Sequence, residues 1–435
     1  MSQPPVINDF VNNVLPAIGG MPALDLAVQS ALAKAPATLK IERISSGESF
    51  IDWMTKFLRW VPTESTDSTL VLRKLSVFYF ILDREPIVHS QTAVYPNSVG
   101  NGLSILSQWI VDYAKALGQW LDDPASLTAA SFRSFKAAPL YRIWECDSPD
   151  GEKYATFNDF FGRNLAEDRQ VDEPGDNRVP VYPADSKWDS CFDVDMGSNT
   201  WIPAVSRLET LDPAADPKGI IADTKGWMWS VGALLEDSPF ASSFAGGVWV
   251  HSFLNVYNYH HFRSPVSGTV VDARVIQNAA YLDVVATADG IIPRRRIGRG
   301  LLGGVRGRGA DNVRAEVSPE DGSGYQFLQT RGCVVIDTSG SEEGDIGLVA
   351  VLPIGMAQVS SVQLSVQPSD KIQKGGEFGV FQFGGSDIVT VFQAKAGLSA
   401  DTSLFNTDPS YDEQGKRLDY TFYGSRLVRE PLSPK

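Results

Sequence analysis

In the first third of the chain, apolar residues recur three and four positions apart. Phe50, Ile51, Trp53, Met54, Phe57 and Leu58 form one such set, and Leu103, Ile105, Leu106, Trp109, Ile110 and Tyr113 form another. That spacing lines one face of a helix. It predicts a helical region from about Phe50 to Leu121, inside an N-terminal helical domain covering residues 1–150. The Trp and Tyr residues in these stripes read as core, because apolar helix faces pack inward. Beyond about Pro180 the texture changes to short β-branched runs broken by Gly, Pro and Asp. Examples are Gly268-Thr269-Val270-Val271-Asp272-Ala273-Arg274-Val275 and Gly347-Leu348-Val349-Ala350-Val351-Leu352, the pattern of strands bounded by turns. Residues 151–435 therefore read as a mostly β domain, and the chain as α+β.

Two segments suggest how that β domain is shaped. Asp370-Lys371-Ile372-Gln373-Lys374-Gly375-Gly376-Glu377 resembles a strand and turn of the barrel-like sandwich of lipoyl-carrier domains, and Ser264-Pro265-Val266-Ser267-Gly268-Thr269-Val270 resembles its partner. No lysine sits where such a carrier is modified, so the likeness concerns shape only. Residues 293–310 are rich in Arg and Gly, as in Arg294-Arg295-Arg296-Ile297-Gly298-Arg299-Gly300. Such glycine content disfavours regular structure and predicts a flexible loop. An RNA-binding tract, a substrate lid with anion-binding arginines and a solvated insertion all fit it, the last best.

Composition narrows the partners. The 435 residues carry a formal net charge of −14, which opposes general affinity for nucleic acid or anionic membranes because phosphates must be neutralised by surplus Lys and Arg. A small-molecule substrate is expected, with homo-oligomerisation left open. Cys146, Cys191 and Cys333 lie far apart and show no metal-ligand spacing, so neither a disulfide framework nor a metal site is expected. The first thirty residues lack the pattern of a signal peptide. The most apolar run, Leu75 to Leu82, falls well short of the ~20 residues that span a bilayer. No stable membrane insertion and a cytoplasmic location are the expectations.

The candidate chemistry lies at Gly384-Gly385-Ser386. A Gly-Gly-Ser triplet alone marks only a turn. Here it stands between two strand-like runs, Glu377–Phe383 and Ile388–Phe392, which predicts Ser386 in a tight turn. Glycine has no Cβ to obstruct a neighbour, so the Ser386 hydroxyl could approach the Gly385 carbonyl and convert the amide to an ester.

The run Lys374-Gly375-Gly376-Glu377-Phe378-Gly379-Val380-Phe381-Gln382-Phe383-Gly384-Gly385-Ser386 resembles the self-processing segment of the phosphatidylserine decarboxylase family, including its fungal tryptophan-decarboxylase branch. Further similar segments follow the family's order: Phe157-Asn158-Asp159-Phe160-Phe161-Gly162-Arg163, Tyr182-Pro183-Ala184-Asp185, Lys225-Gly226 with Leu234-Leu235, Gly246-Gly247, and Phe253–His260. The likeness covers roughly residues 150–395, and the helical N-terminal part resembles the extra domain of the fungal branch. It implies self-cleavage between Gly385 and Ser386, a pyruvoyl group derived from Ser386, and no external cofactor. The implied activity is decarboxylation of a soluble amino acid or related amine-bearing carboxylate.

The same resemblance implies an Asp–His–Ser relay for cleavage, with Asp185 and Ser386 matching two of its members. The family pattern Tyr-His-Arg-x-His-x-Pro reads here Tyr259-His260-His261-Phe262-Arg263-Ser264-Pro265. His260 matches the histidine of the decarboxylation step, but Arg263 stands where the relay needs a base, and a guanidinium cannot take a proton from serine near neutral pH. His261 shares a strand face with position 263 and is the nearest alternative base. Arg263, His261 and Asp387 are also candidate substrate-binding residues. Asp387 is a second departure from the family, either a local base or a charge opposing the oxyanion. His251 reads as a packing or hydrogen-bonding residue, and His89 as structural. The alternative is an unprocessed relative whose pocket binds a metabolite or guides a cyclisation or rearrangement, with Arg263 as an anion clamp.

Overall fold

The structure is a computed structural model that describes residues 3–434, apart from 95, 204–225, 237, 288–289, 294–323 and 358–360. The Arg/Gly-rich stretch therefore lies, except for Pro293, outside the described residues.

The helical part follows the apolar spacing. The helix Gly47–Phe57 starts at Ser46, whose side chain and that of Ser49 cap each other's backbone, and it buries Phe50, Trp53, Met54 and Phe57. Such a box satisfies amide groups that the first turn leaves unpaired. The helix Ile105–Leu121, capped by Ser104, buries Trp109, Ile110, Tyr113 and Leu117. Tyr113 stacks on Phe78 at 4.8 Å and donates to the Met54 carbonyl at 2.8 Å, so one side chain joins three helices. Helical structure begins earlier than the strongest periodicity, at Pro5. No single helix among the described residues is long and apolar enough to cross a membrane. The pair Pro5–Ala17 and Gly20–Lys34 reaches that length only together, across a 94° bend.

Among the described residues fourteen strands follow: β1 (Lys187–Asp193), β2 (Asn199–Pro203), β3 (Gly226–Ser230), β4 (Val248–Leu254), β5 (His261–Arg263), β6 (Gly268–Ile276), β7 (Val284–Thr287), β8 (Gly290–Pro293), β9 (Arg331–Asp337), β10 (Leu348–Met356), β11 (Val362–Leu364), β12 (Lys371–Ile372), β13 (Glu377–Phe381) and β14 (Gly385–Phe392). A seven-stranded sheet runs β1-β4-β14-β10-β9-β6-β12, a three-stranded sheet runs β11-β13-β5, and β2-β3 and β7-β8 form two-stranded antiparallel sheets. The expected partnership of the two outlying segments is present, since Lys371 pairs with Thr269 and Ile372 with Gly268. Among the described residues the large sheet is open, with β1 and β12 as its edges, and forms no closed barrel.

Strand alternation divides β14 between two cores. Ile388 and Phe392 pack with Phe262, Phe378 and Phe381 of the small sheet, while Val389 and Val391 pack with Trp249, Leu352 and the helical part. Because successive side chains point to opposite faces, Ser386 belongs to the face of Ile388 and Asp387 to the face of Val389. The turn expected at Ser386 is displaced. The bend lies at Phe383 and Gly384, and Ser386 already sits in β14, opposite Leu254 of β4 and Gly355 of β10. The physical reason is the change of sheet: β13 belongs to the small sheet and β14 to the interior of the large one, between β4 and β10. The two glycines carry the crossing, and pairing resumes at once.

Candidate active site

Ser386 is fully buried, and its Oγ has no hydrogen-bond partner among the described residues. A buried hydroxyl left unpaired costs free energy, so this serine is held in a place that its own bonding does not justify. Gly385 precedes it and has no Cβ to crowd the peptide between them.

The segment that carries the histidines is fixed from the helical part. Thr156 and Asp159 form a capping box on the short helix Phe157–Phe161. Asn158 of that helix bonds Asp122 at 2.8 Å. Just beyond it, the buried Arg163 donates to the carbonyls of Tyr257 at 2.9 Å, Tyr141 at 3.2 Å and Asn258 at 3.3 Å. One guanidinium therefore pins the chain immediately before His260. The His260 ring is fully buried and lies against Phe161, with centroids 4.0 Å apart. Phe161 in turn packs edge-on against Phe383 at 5.3 Å, three residues before Ser386. The His260 carbonyl accepts from Phe381 N at 3.0 Å, tying this histidine to the strand that leads into the Gly-Gly-Ser segment.

His261 and Arg263 share a face of β5, and both meet Glu377. His261 Nδ1 is 2.9 Å from Glu377 Oε1, and its Nε2 is 2.9 Å from the Gly162 carbonyl. Arg263 reaches Asp168 at 2.8 Å and Glu377 at 3.3 Å, with its guanidinium 4.9 Å from the Tyr423 ring centroid. Burial would raise the Glu377 carboxyl, but His261 and Arg263 hold it below its ordinary value. Asp185 is fully buried and paired with Arg169, whose Nε and Nη2 lie 3.2 and 2.8 Å from its two oxygens. It also accepts from Tyr423 N at 2.9 Å. Burial raises the Asp185 pKa, and Arg169 offsets only part of that effect. No hydrogen bond joins Asp185, His261, Arg263 or Asp387 to Ser386 Oγ. The relay implied by resemblance is thus not assembled as hydrogen bonds. Its aspartate orients an arginine, and its alternative base is held by a glutamate and a carbonyl.

A different histidine stands at the centre of a charged network. His251, on β4, places Nδ1 3.0 Å from Asp189 Oδ2 and Nε2 2.9 Å from Asp387 Oδ2. The Tyr325 hydroxyl donates to the same Asp387 oxygen at 2.5 Å, and the Gln326 amide lies 3.3 Å from Nε2. Burial alone would lower the His251 pKa, but the Asp387 charge and the hydrogen bonds to both carboxylates raise it to about 9. Imidazolium is therefore the resting form at neutral pH. A raised pKa stabilises the fold fully below about 6.5 and loses that contribution as pH climbs to about 9. Across that window the stability of the protein should fall, relative to His251→Gln, by on the order of 3 kcal/mol. Urea denaturation of both proteins at several pH values measures this difference.

Sequence reasoning read His251 as a packing or hydrogen-bonding residue and assigned Asp387 no partner. It missed Asp189, Arg169, Glu377, Tyr325 and Tyr423. His251 and Asp387 are 136 residues apart and meet only through the β4–β14 register, in which Val389 opposes His251. No local spacing announces such a pair. Among the described residues no group of His, Cys, Asp and Glu is arranged to hold a metal ion.

Comparison with known proteins places this geometry in context. Residues 157–409, more than half of the chain, match the family model described as phosphatidylserine decarboxylase. The decarboxylase iboD of Amanita muscaria is 26% identical over 298 residues, 66% of this chain and 73% of the relative. Phosphatidylserine decarboxylase proenzyme 2 of Oryza sativa subsp. japonica is 25% identical over 368 residues, 79% and 48% of the two chains. The L-tryptophan decarboxylase of Psilocybe cubensis is 26% identical over 275 residues, 61% and 52%. The chain thus covers about three quarters of the first relative and about half of the other two.

Proposed function

Because the chain belongs to the phosphatidylserine decarboxylase family, we propose that it is a carboxy-lyase acting on a soluble amino acid, with a pyruvoyl group made from its own Ser386. The observation that carries this reading is the buried Ser386 hydroxyl, unpartnered among the described residues and directly after Gly385. A serine destined to attack its own backbone must keep its oxygen uncommitted, and a glycine before it removes the steric barrier. When bound, a pyruvoyl group supplies a carbonyl for the substrate amine and an electron sink for the departing carboxylate.

The remaining roles fall to residues of the chain. His260, buried beside Phe161, is the proton donor and acceptor of the decarboxylation step. Phe161 and Phe383 exclude water from it, and Arg163 holds the backbone that aims it. Asp185 acts through Arg169 and the Tyr423 amide as a positioning residue. Arg263 and His261, on their shared strand face, hold Glu377, and the Arg263 guanidinium, which also meets Asp168, is the anion clamp for a substrate carboxylate. Relatives bearing the name L-tryptophan decarboxylase favour an amino acid over a phospholipid.

Intact mass measurement tests this reading first. The expected result is two chains, residues 1–385 and 386–435, the smaller blocked at its N-terminus by pyruvoyl. Carbon dioxide release is then expected from at least one member of an amino acid panel. A single chain of 47.4 kDa that persists for days would overturn the pyruvoyl reading and favour an unprocessed pocket.

A further inference from the structure

We infer that Asp387, locked in place by His251 and Tyr325, is the acceptor that receives the substrate's ammonium group beside the reactive carbon of residue 386. The inference rests on the pyruvoyl reading above and assigns it an amine-recognising residue.

The two oxygens of this carboxylate are used unequally. Oδ2 takes bonds from His251 Nε2 at 2.9 Å and from the Tyr325 hydroxyl at 2.5 Å. Oδ1 is buried and has no hydrogen-bond partner among the described residues. Buried acceptors without donors are rare in folded proteins, and an ionised carboxylate oxygen left so beside residue 386 points to a missing donor group. A primary ammonium offers three donors and the charge that a carboxylate oxygen favours. The surroundings suit a ligand better than bulk water: Trp249 stacks on His251 with centroids 5.6 Å apart and planes at 5°.

Asp387 and the Ser386 side chain point to opposite faces of β14, which excludes Asp387 as an easy base for the Ser386 hydroxyl. The objection does not extend to substrate binding. The carbonyl of a pyruvoyl group is built on the former α-carbon of residue 386, not on its side chain. That carbon lies one peptide from Asp387, about 3.8 Å between α-carbons, so its distance from the carboxylate is bounded at about 7 Å by covalent geometry alone. A carboxylate whose rotamer is fixed from one side by a cation and a phenol, with the other oxygen free, is preorganised to hold an amine there. His251 and Tyr325 are positioning residues in this scheme.

The test uses the full-length purified protein and calorimetric titration. The probes are the amines derived from proteinogenic amino acids by loss of the carboxyl group, each paired with its deaminated counterpart. At least one amine should bind while its counterpart does not, and Asp387→Asn should weaken the amine by about thirty-fold or more, the scale of a lost charge-assisted bond. Cleavage is read in parallel by intact mass. A second measurement needs no variant: nitrogen-15 histidine spectra resolve a chain with only four histidines. The His251 midpoint should drop when an amine shares the Asp387 charge. Equal amine affinity in Asp387→Asn, no amine binding at all, or a His251 midpoint unmoved by bound amine would each overturn the inference. If Asp387→Asn fails to fold, the His251 titration decides. A chain that stays whole yet binds an amine through Asp387 removes the pyruvoyl reading and leaves this one standing.

Discussion

Ser386→Ala should give a single chain of 47.4 kDa with no decarboxylation above background and a fold at least as stable as the parent. The two halves of this result have different origins. Loss of activity follows from chemistry, since alanine has no oxygen with which to attack the Gly385 carbonyl and no route to a pyruvoyl group. Retained stability follows from the structure, because the hydroxyl that is removed is buried and unpartnered among the described residues. Deleting such a group is worth roughly 0–1 kcal/mol in favour of the variant, as no partner is left unsatisfied. Mass spectrometry, carbon dioxide release and thermal unfolding together measure it. A variant that is cut, or that decarboxylates at the parental rate, would remove Ser386 from the mechanism. The comparison requires the parent to be studied unprocessed as well, for example early after synthesis, so that two intact chains are compared.

The second large effect is expected at Arg169. Its guanidinium bonds both oxygens of Asp185 and reaches Glu145 at 3.2 Å, and it lies 3.8 Å from the Phe422 ring centroid. Arg169→Met keeps much of the apolar contact and removes the charge. It leaves Asp185 fully buried with only a backbone amide as donor. Breaking one side of a buried pair typically costs about 3–5 kcal/mol, so the variant should lose that much at pH 7. Burial already raises the Asp185 pKa, with Arg169 opposing it, and without Arg169 the pKa rises further. Below that raised value the carboxyl is neutral and the unpaired charge is gone. The deficit of Arg169→Met should therefore shrink as the solution is acidified, which chemical denaturation at pH 7 and pH 5 detects. A deficit independent of pH would mean that the contact with Phe422, not the charge pair, is what Arg169 contributes.

The helices around Phe50 and Trp109 were legible because one face of each meets a single core, so the 3.6-residue period survives into the sequence. The strands β6 and β10 were legible from β-branched runs, and the pairing of Lys371 with Thr269 from the resemblance of two short segments to the sandwich of lipoyl-carrier domains. The position of Ser386 was less so. A Gly-Gly-Ser triplet gives the same local signal for a turn and for the crossing between two sheets, and only the partners of β13 and β14 separate them. The site followed a similar division. Candidates close in sequence, His260, His261 and Arg263, could be assigned to faces of one strand, and His261 and Arg263 do share Glu377. Partners brought from afar could not be seen. Asp189, Tyr325 and Arg169 are ordinary polar residues until the sheet register and the packing of Tyr423 bring them to His251, Asp387 and Asp185.

The stretch after residue 386 is threaded through the rest of the molecule. β14 lies between β4 and β10 in the large sheet, and further on Thr421 and Ser186 exchange backbone bonds at 2.9 and 3.0 Å, as do Ser425 and Gly424 with Tyr182 at 2.8 and 3.0 Å. A nick at Ser386 would therefore separate nothing, and a sizing column should see one particle before and after it. Its cost emerges only on unfolding: an uncut chain finds this interior strand again as an internal segment, at a rate indifferent to dilution. A nicked one must recapture a free peptide by collision, so recovery after denaturant should fall with protein concentration. Folding first and cutting afterwards would make the native arrangement a heritage of the uncut chain, one that its own two fragments can re-establish only at high concentration.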